Sequence, residues 1–210
     1  MCIFTIMIET LLSFALATSI LAISPGPDNI FVLTQSIVNG RTFGLATVIG
    51  LISGCLVHTT LLAFGVSAII STSENLYMGI KIFGSVYLLY LAFKVYKTDT
   101  SILLSEDFTP KKNIMQLFKQ GFLMNVLNPK VSIFFFSFFP GFLFSDSLST
   151  ITQFYILGFI FMIVSFFIFS AIAILAGTIS KSLKKNNKIS LYLKWSQFFV
   201  FILIAIFILL

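Results

Sequence analysis

Charged side chains are scarce in this chain. Only 10% of its 210 residues are Asp, Glu, Lys or Arg, whereas an ordinary soluble domain has roughly 25%. Hydrophobic residues make up 58% of the sequence, and the mean hydropathy is +1.07. This balance predicts an integral membrane protein. The net charge of +6 does not indicate a nucleic-acid partner, because the positive residues lie in short segments between apolar runs.

Residues that build catalytic and metal sites are also few. The chain has one histidine and two cysteines; Cys2 is terminal, and Cys55 lies within an apolar run. These counts favour neither a disulfide framework nor a metal site. An intramembrane hydrolase needs a nucleophile with a base, a His-Glu-x-x-His motif or paired carboxylates, and a primary pump needs a P-loop. The sequence offers none of these constellations, so we expect no enzyme activity, no cofactor and no bound metal.

Six apolar runs are long enough to cross a bilayer, which requires about 20 residues each. They cover approximately residues 4–24, 43–70, 76–96, 114–143, 151–178 and 190–210. The first run lacks a preceding basic segment and contains Glu9, which predicts a retained span rather than a cleaved signal. We therefore expect an all-α integral membrane protein with six transmembrane helices, forming a single membrane domain over residues 1–210.

Two of these runs are interrupted by proline. The first break is the segment SPGPDN at residues 24–29, and the second is NVLNPK at residues 125–130. Proline interrupts a helix because it lacks the N–H group and clashes with the preceding turn. Backbone groups freed inside a bilayer need cover from protein or from a water-filled cavity. The helix-breaking residues are Pro25, Gly26, Pro27 and Pro129.

The positions of the breaks predict an internal repeat. Residues 1–105 and 106–210 each begin with a broken helix followed by two plainer spans, and a polar linker at about 98–113 joins them. Because three spans is an odd number, the second half must enter the membrane upside down relative to the first. This inverted 3+3 topology places a substrate site near the middle of the membrane, where the two breaks meet.

Lysine and arginine concentrate on three connections between spans. The positive-inside rule places these connections in the cytoplasm and both termini outside. If the first half-helix crosses the membrane fully, the N-terminus lies on the other side, and this alternative stays open. The basic residues are Arg41, Lys94, Lys97, Lys111, Lys112, Lys119, Lys181, Lys184, Lys185, Lys188 and Lys194. Aromatic residues expected at the cytoplasmic interface are Tyr90, Tyr96, Tyr192 and Trp195.

These motifs resemble those of the LysE/RhtB family of amino-acid exporters. The resemblance rests on SPGPD at residues 24–28 and on GFLMNVLNPK at residues 121–130, followed by Phe135 and Phe136. The chain length and the polar linker also fit, so it covers essentially the whole chain. Two positions depart from the family pattern: Ser24 stands where Asn is usual, and Pro-Gly-Phe at 140–142 stands where Pro-Gln-Phe is frequent.

The resemblance implies a secondary active exporter of amino acids or close relatives in the bacterial inner (cytoplasmic) membrane, coupled to proton entry. Its partners would be the amino-acid substrate, protons and the lipid bilayer, and a protein of this size could form a homodimer. The alternative is an exporter or channel of the same superfamily for another small solute or ion. The sequence does not distinguish neutral, basic and hydroxylated amino acids.

The candidate site residues are polar groups at the two breaks. Asp28 and Lys130 are charges in a membrane domain, where charge is costly and usually functional. Asp28 could instead cap the following half-helix, and Lys130 could extend to an interface. The amides at the breaks could bind substrate or satisfy freed backbone groups. The remaining candidates for substrate binding and proton coupling are Ser24, Asn29, Asn125 and Asn128.

A row of small residues in the second span predicts close helix packing. Ala46, Gly50, Gly54 and His58 are spaced by four, so they share one helix face. The small-xxx-small pair Gly50 and Gly54 favours tight contact with another helix. His58 could be a hydrogen-bonded interior group or a proton relay. The phenylalanine-rich stretch at 134–144 is interpreted as lipid contact and packing.

Overall fold

The computed structural model describes residues 2–24, 26–97, 113–179 and 187–209. Within these ranges the protein is helical and contains no strand, which confirms the expected all-α class. The helices are α1 (Cys2–Ile23), α2 (Pro27–Val38), α3 (Arg41–Leu61), α4 (Ser67–Thr72), α5 (Glu74–Lys97), α6 (Ile114–Val126), α7 (Pro129–Ile133), α8 (Thr150–Ile174) and α9 (Asn187–Leu209).

Several predicted features lie outside the described residues. They include Pro25 and nearly all of the linker at 98–113, of which only Asn113 is described. The same holds for the lysines that predict the orientation at Lys111, Lys112, Lys181, Lys184 and Lys185.

Four helical stretches are long and apolar enough to cross a membrane: Arg41–Ile70, Glu74–Lys97, Thr150–Ile174 and Leu191–Leu209. Two further candidates are bent helix pairs. Met7–Ile23 meets Pro27–Val38 at 59°, and Ile114–Val126 meets Pro129–Phe142 at 48°. The candidate spans therefore number four, or six if each bent pair crosses once. Both bends coincide with the proline breaks expected from the sequence.

Local sequence explains why new helices begin after each break. Pro27 is the first residue of α2, following Gly26 in extended backbone, and Pro129 is the first residue of α7. Proline is favoured at this position because its missing N–H would have no partner within the helix and its φ is already helical. The turn into α3 requires glycine, because Gly40 has a φ of 98°.

Two spans depart from regular α-helix in their second half, the one that begins with α3 and the one that contains α7. A π-helical turn over Leu62–Val66 joins α3 to α4, and another over Phe134–Phe138 follows α7. The latter passes into a 3-10 turn over Phe139–Phe142, where Pro140 cannot continue the hydrogen-bond ladder. Such irregular turns inside helices occur frequently at functional sites.

Helix α3 lies at the centre of the bundle. It packs against α6 most extensively and also against α2 and α8. Helix α1 packs on α8, while α5 pairs with α9 and contacts the π-helical turn after α7. The phenylalanine-rich stretch supplies much of the core, since Phe134, Phe135 and Phe139 are fully buried. The expectation that this stretch contacts lipid is therefore wrong for these side chains, which serve packing.

Glycines permit the close contact between α3 and α6. A Cβ atom at Gly50 would overlap the backbone carbonyl of Phe118, and one at Gly121 would overlap the carbonyl of Thr47. A Cβ at Gly54 would crowd the side chain of Asn125. The helices approach until backbone meets backbone, and this positions the second break beside α3.

Candidate functional site

Asn128 connects the two helix breaks. Its side-chain nitrogen Nδ2 donates a hydrogen bond to Asp28 Oδ2 at 3.0 Å. Its side-chain oxygen accepts the backbone N–H of Lys130 at 3.0 Å, which makes Asn128 the N-cap of α7. One buried amide therefore begins the second half-helix and also binds the carboxylate of the first break.

Asp28 is buried, with 7% of its surface exposed. It is the second residue of α2, whereas the N-cap is Gly26, so its carboxylate does not take the capping role considered from the sequence. A negative charge in the first turn is still favoured by the helix dipole. Oδ2 is held by Asn128, but the other oxygen, Oδ1, is buried without a hydrogen-bond partner. An unpaired buried carboxylate oxygen is costly, so this position is suited to an incoming donor.

Lys130 is directed toward the first break. Its Nζ donates to the backbone oxygen of Ser24 at a long 3.5 Å, and it lies 5.2 Å from the centroid of the Phe201 ring. The ammonium also lies close to Gly26, where an added Cβ would be 3.3 Å from Nζ. A larger residue at position 26 would therefore displace the lysine. Lys130 is the second residue of α7, and the N-terminal end of a helix attracts anions.

His58 contacts the second break through Asn125. Its Nε2 donates to the backbone oxygen of Asn125 at 3.1 Å, and its ring packs 5.5 Å from that of Phe135. A carbonyl can only accept, so Nε2 carries the hydrogen. Nδ1 of the neutral ring is then an acceptor, and it is buried without a partner. His58 thus combines the hydrogen bond expected of an interior histidine with one nitrogen available to accept a proton.

The other candidate residues, Asn29, Ser24 and Asn125, each bind a different backbone or side-chain group. Asn29 donates from Nδ2 to the backbone oxygen of Ala22 at 2.7 Å, so it satisfies a carbonyl near the end of α1. Ser24 offers its carbonyl to Lys130, while its hydroxyl is buried without a partner. Asn125 uses its backbone oxygen for His58, and its side-chain Oδ1 is likewise unpartnered.

Four of the eight buried side-chain polar atoms without a hydrogen-bond partner among the described residues belong to the candidate site. Buried polar groups in proteins nearly always have hydrogen-bond partners, so these four exceptions are compatible with a site that receives a ligand or water. Within the described ranges no group of three His, Cys, Asp or Glu residues could hold a metal ion. The unpartnered atoms of the candidate site are Ser24 Oγ, Asp28 Oδ1, His58 Nδ1 and Asn125 Oδ1.

Sequence reasoning missed two residues of this site. Phe201 is one of several phenylalanines in the apolar run of α9, and no local pattern indicates that its ring lies beside an ammonium group. Cys55 follows Gly54 on α3 and is 1% exposed, on the segment that packs against Asn125. Both placements depend on contacts between helices far apart in sequence.

Comparison with known proteins agrees with the motifs at the breaks. The profile of the LysE type translocator family matches residues 19–210. A homoserine/homoserine lactone efflux protein of Salmonella typhimurium is 28% identical over 182 residues, covering 84% of this chain and 87% of that protein. The uncharacterized membrane protein YrhP of Bacillus subtilis is 28% identical over 143 residues, covering 64% and 68% respectively.

No solved structure matches the chain. The family match spans most of the sequence, including both breaks, and it confirms the resemblance drawn from the proline motifs. One of these relatives is named an efflux protein. The chain therefore belongs to the LysE type translocator family and is a multi-pass membrane protein of this bacterial transporter family.

Proposed function

We propose that the protein is a secondary active exporter that moves an amino acid or close relative out of the bacterial cytoplasm across the inner membrane, in exchange for protons. The observation that carries this proposal is the linked pair of breaks. Asn128 links the Asp28 carboxylate to the backbone of Lys130, and the Lys130 ammonium reaches back to the backbone oxygen of Ser24. Among the described residues, Asp28 Oδ1 has no hydrogen-bond partner. A charged side chain inside a membrane domain is energetically costly, so Asp28 and Lys130 are expected to act on the transported solute.

Helix packing supports an inverted 3+3 repeat as the frame of this exporter. The second span of each half packs against the broken first span of the other half: α3 against α6, and α8 against α1 and α2. Two further pairs, α3 with α8 and α5 with α9, join equivalent helices of the two halves, while α2 also packs on α3 of its own half. This exchange of partners is what a two-fold axis between the halves would produce, with both breaks near the axis.

The two charges suit a zwitterion. An amino acid at neutral pH carries one carboxylate and one ammonium group. The Lys130 ammonium would hold the carboxylate. Asp28 Oδ1 and nearby carbonyl groups would accept hydrogen bonds from the ammonium. The relative is named a homoserine/homoserine lactone efflux protein, which supports a small amino acid or derivative as the substrate.

Proton exchange at Asp28 would couple the steps. When a proton from outside binds the carboxylate, its attraction for the substrate ammonium is lost and the substrate is released. The proton then leaves to the cytoplasm before the next substrate binds. His58, with Nε2 held by Asn125 and Nδ1 able to accept a proton, would take part in this transfer as a relay. The net result is one substrate out and at least one proton in.

Everted membrane vesicles test the proposal. A proton gradient should drive homoserine accumulation in vesicles containing the protein, and dissipating the gradient should abolish it. Asp28→Asn keeps the size of the side chain and one acceptor oxygen for Asn128, but it replaces the other oxygen with an NH2 donor and cannot carry charge. We expect it to insert normally and to lose gradient-driven transport by about tenfold or more, since loss of one charge-assisted contact costs over 1.4 kcal/mol.

The control is the amount of Asp28→Asn protein in the membrane, measured by immunoblot against the wild-type protein. Normal gradient-driven transport by this variant would exclude Asp28 as the coupling group. A panel of toxic amino acids and analogues, scored for resistance in an overexpressing strain, then defines the substrate. Resistance only to compounds other than amino acids would favour the alternative of another small solute.

A further inference from the structure

A groove of about 570 Å³ lies between α1, α9 and the irregular segment that follows α7. Its α1 wall contains Glu9, Thr10, Ser13, Ala17 and Ile20, and its opposite walls include Gly141 and residues of α9. It is separate from the site at the breaks, and nothing described so far assigns it a role.

The groove runs along the face of α1 that leads to the site. Glu9, Ser13, Ala17 and Ile20 follow the helical spacing of one face, and the next position in this series is Ser24. The carbonyl of Ser24 accepts the hydrogen bond from the Lys130 ammonium. The face of α1 that lines the groove therefore leads to the first break.

One segment of α9 contributes both to the groove and to the site. Val200 and Ile204 line the groove on α9. Phe201 lies between them in sequence, is 1% exposed, and carries its ring 5.2 Å from Lys130 Nζ.

Two features of the walls are unusual for a surface that only contacts lipid. The face of α1 carries polar side chains at Glu9, Thr10 and Ser13, although exposed positions beside them, such as Leu12, are apolar. Across the groove, Gly141 is exposed in a 3-10 turn that contains Pro140. Irregular backbone at membrane depth is tolerated where it lines a cavity rather than where it faces lipid.

The distance along α1 from the first break predicts that Glu9 lies at the mouth of the groove, the end nearest the membrane surface. About 15 residues of helix separate Glu9 from Ser24, which corresponds to about 22 Å at 1.5 Å per residue. Half of the hydrocarbon thickness is about 15 Å. If the breaks lie near the middle of the membrane, Glu9 reaches the interface on the side opposite to Arg41. The positive-inside rule assigns that side to the exterior.

We infer that this groove is the outer segment of the translocation path, through which the exported solute leaves the site between Asp28 and Lys130. Its occupant is the transported amino acid, and this rests on the function proposed above. Ser13 and Thr10 supply polar contacts along one wall, while the Glu9 carboxylate attracts the solute ammonium at the mouth. Lys130 and Phe201 form the barrier that must move to connect the site with the groove.

Cysteine accessibility tests this path. In a Cys2→Ser background that keeps the buried Cys55, Ser13→Cys places a thiol in the groove, and Leu12→Cys places one on a neighbouring face at nearly the same depth. Leu12 is 65% exposed, so its thiol would face lipid. A water-soluble, membrane-impermeant methanethiosulfonate reagent is added to intact cells. Thiols react as thiolates, which require water, so a thiol facing lipid reacts slowly.

We expect the thiol of Ser13→Cys to react from outside at least about tenfold faster than that of Leu12→Cys, because only the first would contact water. Excess homoserine should slow this reaction, and modification should block export. Equal reactivity of the two thiols would overturn the inference and indicate a lipid-filled groove. Reaction only in everted vesicles would also overturn it, as would disulfide cross-linking of Ser13→Cys to a second copy in place of labelling.

Glu9 provides a second readout that folding defects would not imitate. With Ser13→Cys as the target, a cationic reagent should react faster than an anionic one at low ionic strength, and Glu9→Gln should reduce this preference. An unchanged preference would remove Glu9 from the mouth of the path. If Ser13→Cys is selectively labelled from outside but the wild-type protein exports no amino acid, the path stands and the substrate assignment fails. Amino-acid export without selective labelling removes the path alone.

Discussion

Asn128 shows at the residue scale why an amide is needed at the second break. Its nitrogen donates to Asp28 while its oxygen accepts from the backbone of Lys130. An aspartate could accept from Lys130 but would set a second carboxylate against Asp28. An alanine would leave the start of α7 uncapped, which costs about 0.5–2 kcal/mol, and would remove the one hydrogen-bond donor on Asp28 Oδ2. Asparagine satisfies both groups without adding charge.

Lys130→Met should separate substrates by their carboxylate. Methionine retains most of the apolar side chain but not the ammonium, which we propose binds the substrate carboxylate. A hydrogen bond to a charged group contributes about 1.5–3 kcal/mol, so homoserine affinity should fall roughly 10- to 100-fold. Homoserine lactone has no free carboxylate, and its transport should fall much less. Competition of both compounds against labelled substrate in vesicles measures the difference; an equal loss for both would exclude carboxylate binding by Lys130.

Asp28→Asn and Lys130→Met should not have additive effects on substrate binding. Each single variant leaves the other charge buried without compensation, whereas the double variant removes both charges. Both charges lie at the first break, where Asp28 binds Asn128 and the Lys130 ammonium contacts the backbone oxygen of Ser24. Coupled residues of one site show interaction energies of about 0.5–3 kcal/mol. We expect the double variant to bind substrate less weakly than the sum of the single losses indicates. Strict additivity in a radioligand binding assay would show that the two charges act independently.

Helix α3 is the element that fixes the second break in position. Its glycines allow α6 to approach closely, and this contact brings Asn125 next to Gly54 and its backbone oxygen to His58. The small-residue motif therefore affects the site indirectly, by setting where the second half of the protein presents its polar groups. A wider separation of the helices would move Asn125 and Asn128 together, because both belong to the end of α6 and the break after it.

Gly50→Ala should destabilise this contact. The added Cβ would overlap the carbonyl of Phe118, a backbone atom that cannot rotate away, and overpacking of this kind costs about 1–3 kcal/mol. The expected result is a lower thermal unfolding temperature in detergent. Gly79→Ala on α5 is the matched control, since an added Cβ there meets no atom within 4 Å and alanine is a better helix former. Equal stability of the two variants would mean that α3 and α6 are not closely packed.

At the scale of the whole molecule, helices from the N-terminal and C-terminal parts of the chain pack against each other. Helix α6 packs mainly on α3 and α1 packs on α8, while α2 contacts both α3 and α8. The interface between the halves is therefore also the place where the breaks meet. If the halves move against each other during transport, that motion would change the contact between Asn128 and Asp28.

The distribution of positive charge predicts the orientation of the whole bundle. Cysteines introduced next to Lys111 and Lys185 should be protected from an impermeant thiol reagent added to intact cells, because these connections are expected in the cytoplasm. The same cysteines should react after the membrane is permeabilised, which controls for their accessibility. Reaction in intact cells would show that the orientation is the opposite of the predicted one. Glu9 would then lie on the cytoplasmic side.

The sequence alone determined the membrane class, the approximate spans and the positions of both breaks. Long apolar runs and proline are local signals, because bilayer thickness sets span length and proline removes a backbone donor wherever it stands. The motifs around Pro27 and Pro129 also pointed to the family before any contact was known. Asp28 and Lys130 could be selected as site candidates because charge is rare in such a chain.

Only the tertiary structure decided which groups meet. It assigned Asn128 to Asp28, His58 to the backbone of Asn125, and the Lys130 ammonium to Ser24 and Phe201. It also turned the phenylalanines after α7 into core residues and left the polar face of α1 along a groove. Apolar side chains look alike in sequence whether they face lipid or protein, and the contacts join residues up to about 100 positions apart. Such pairings depend on how whole helices pack, which no local pattern records.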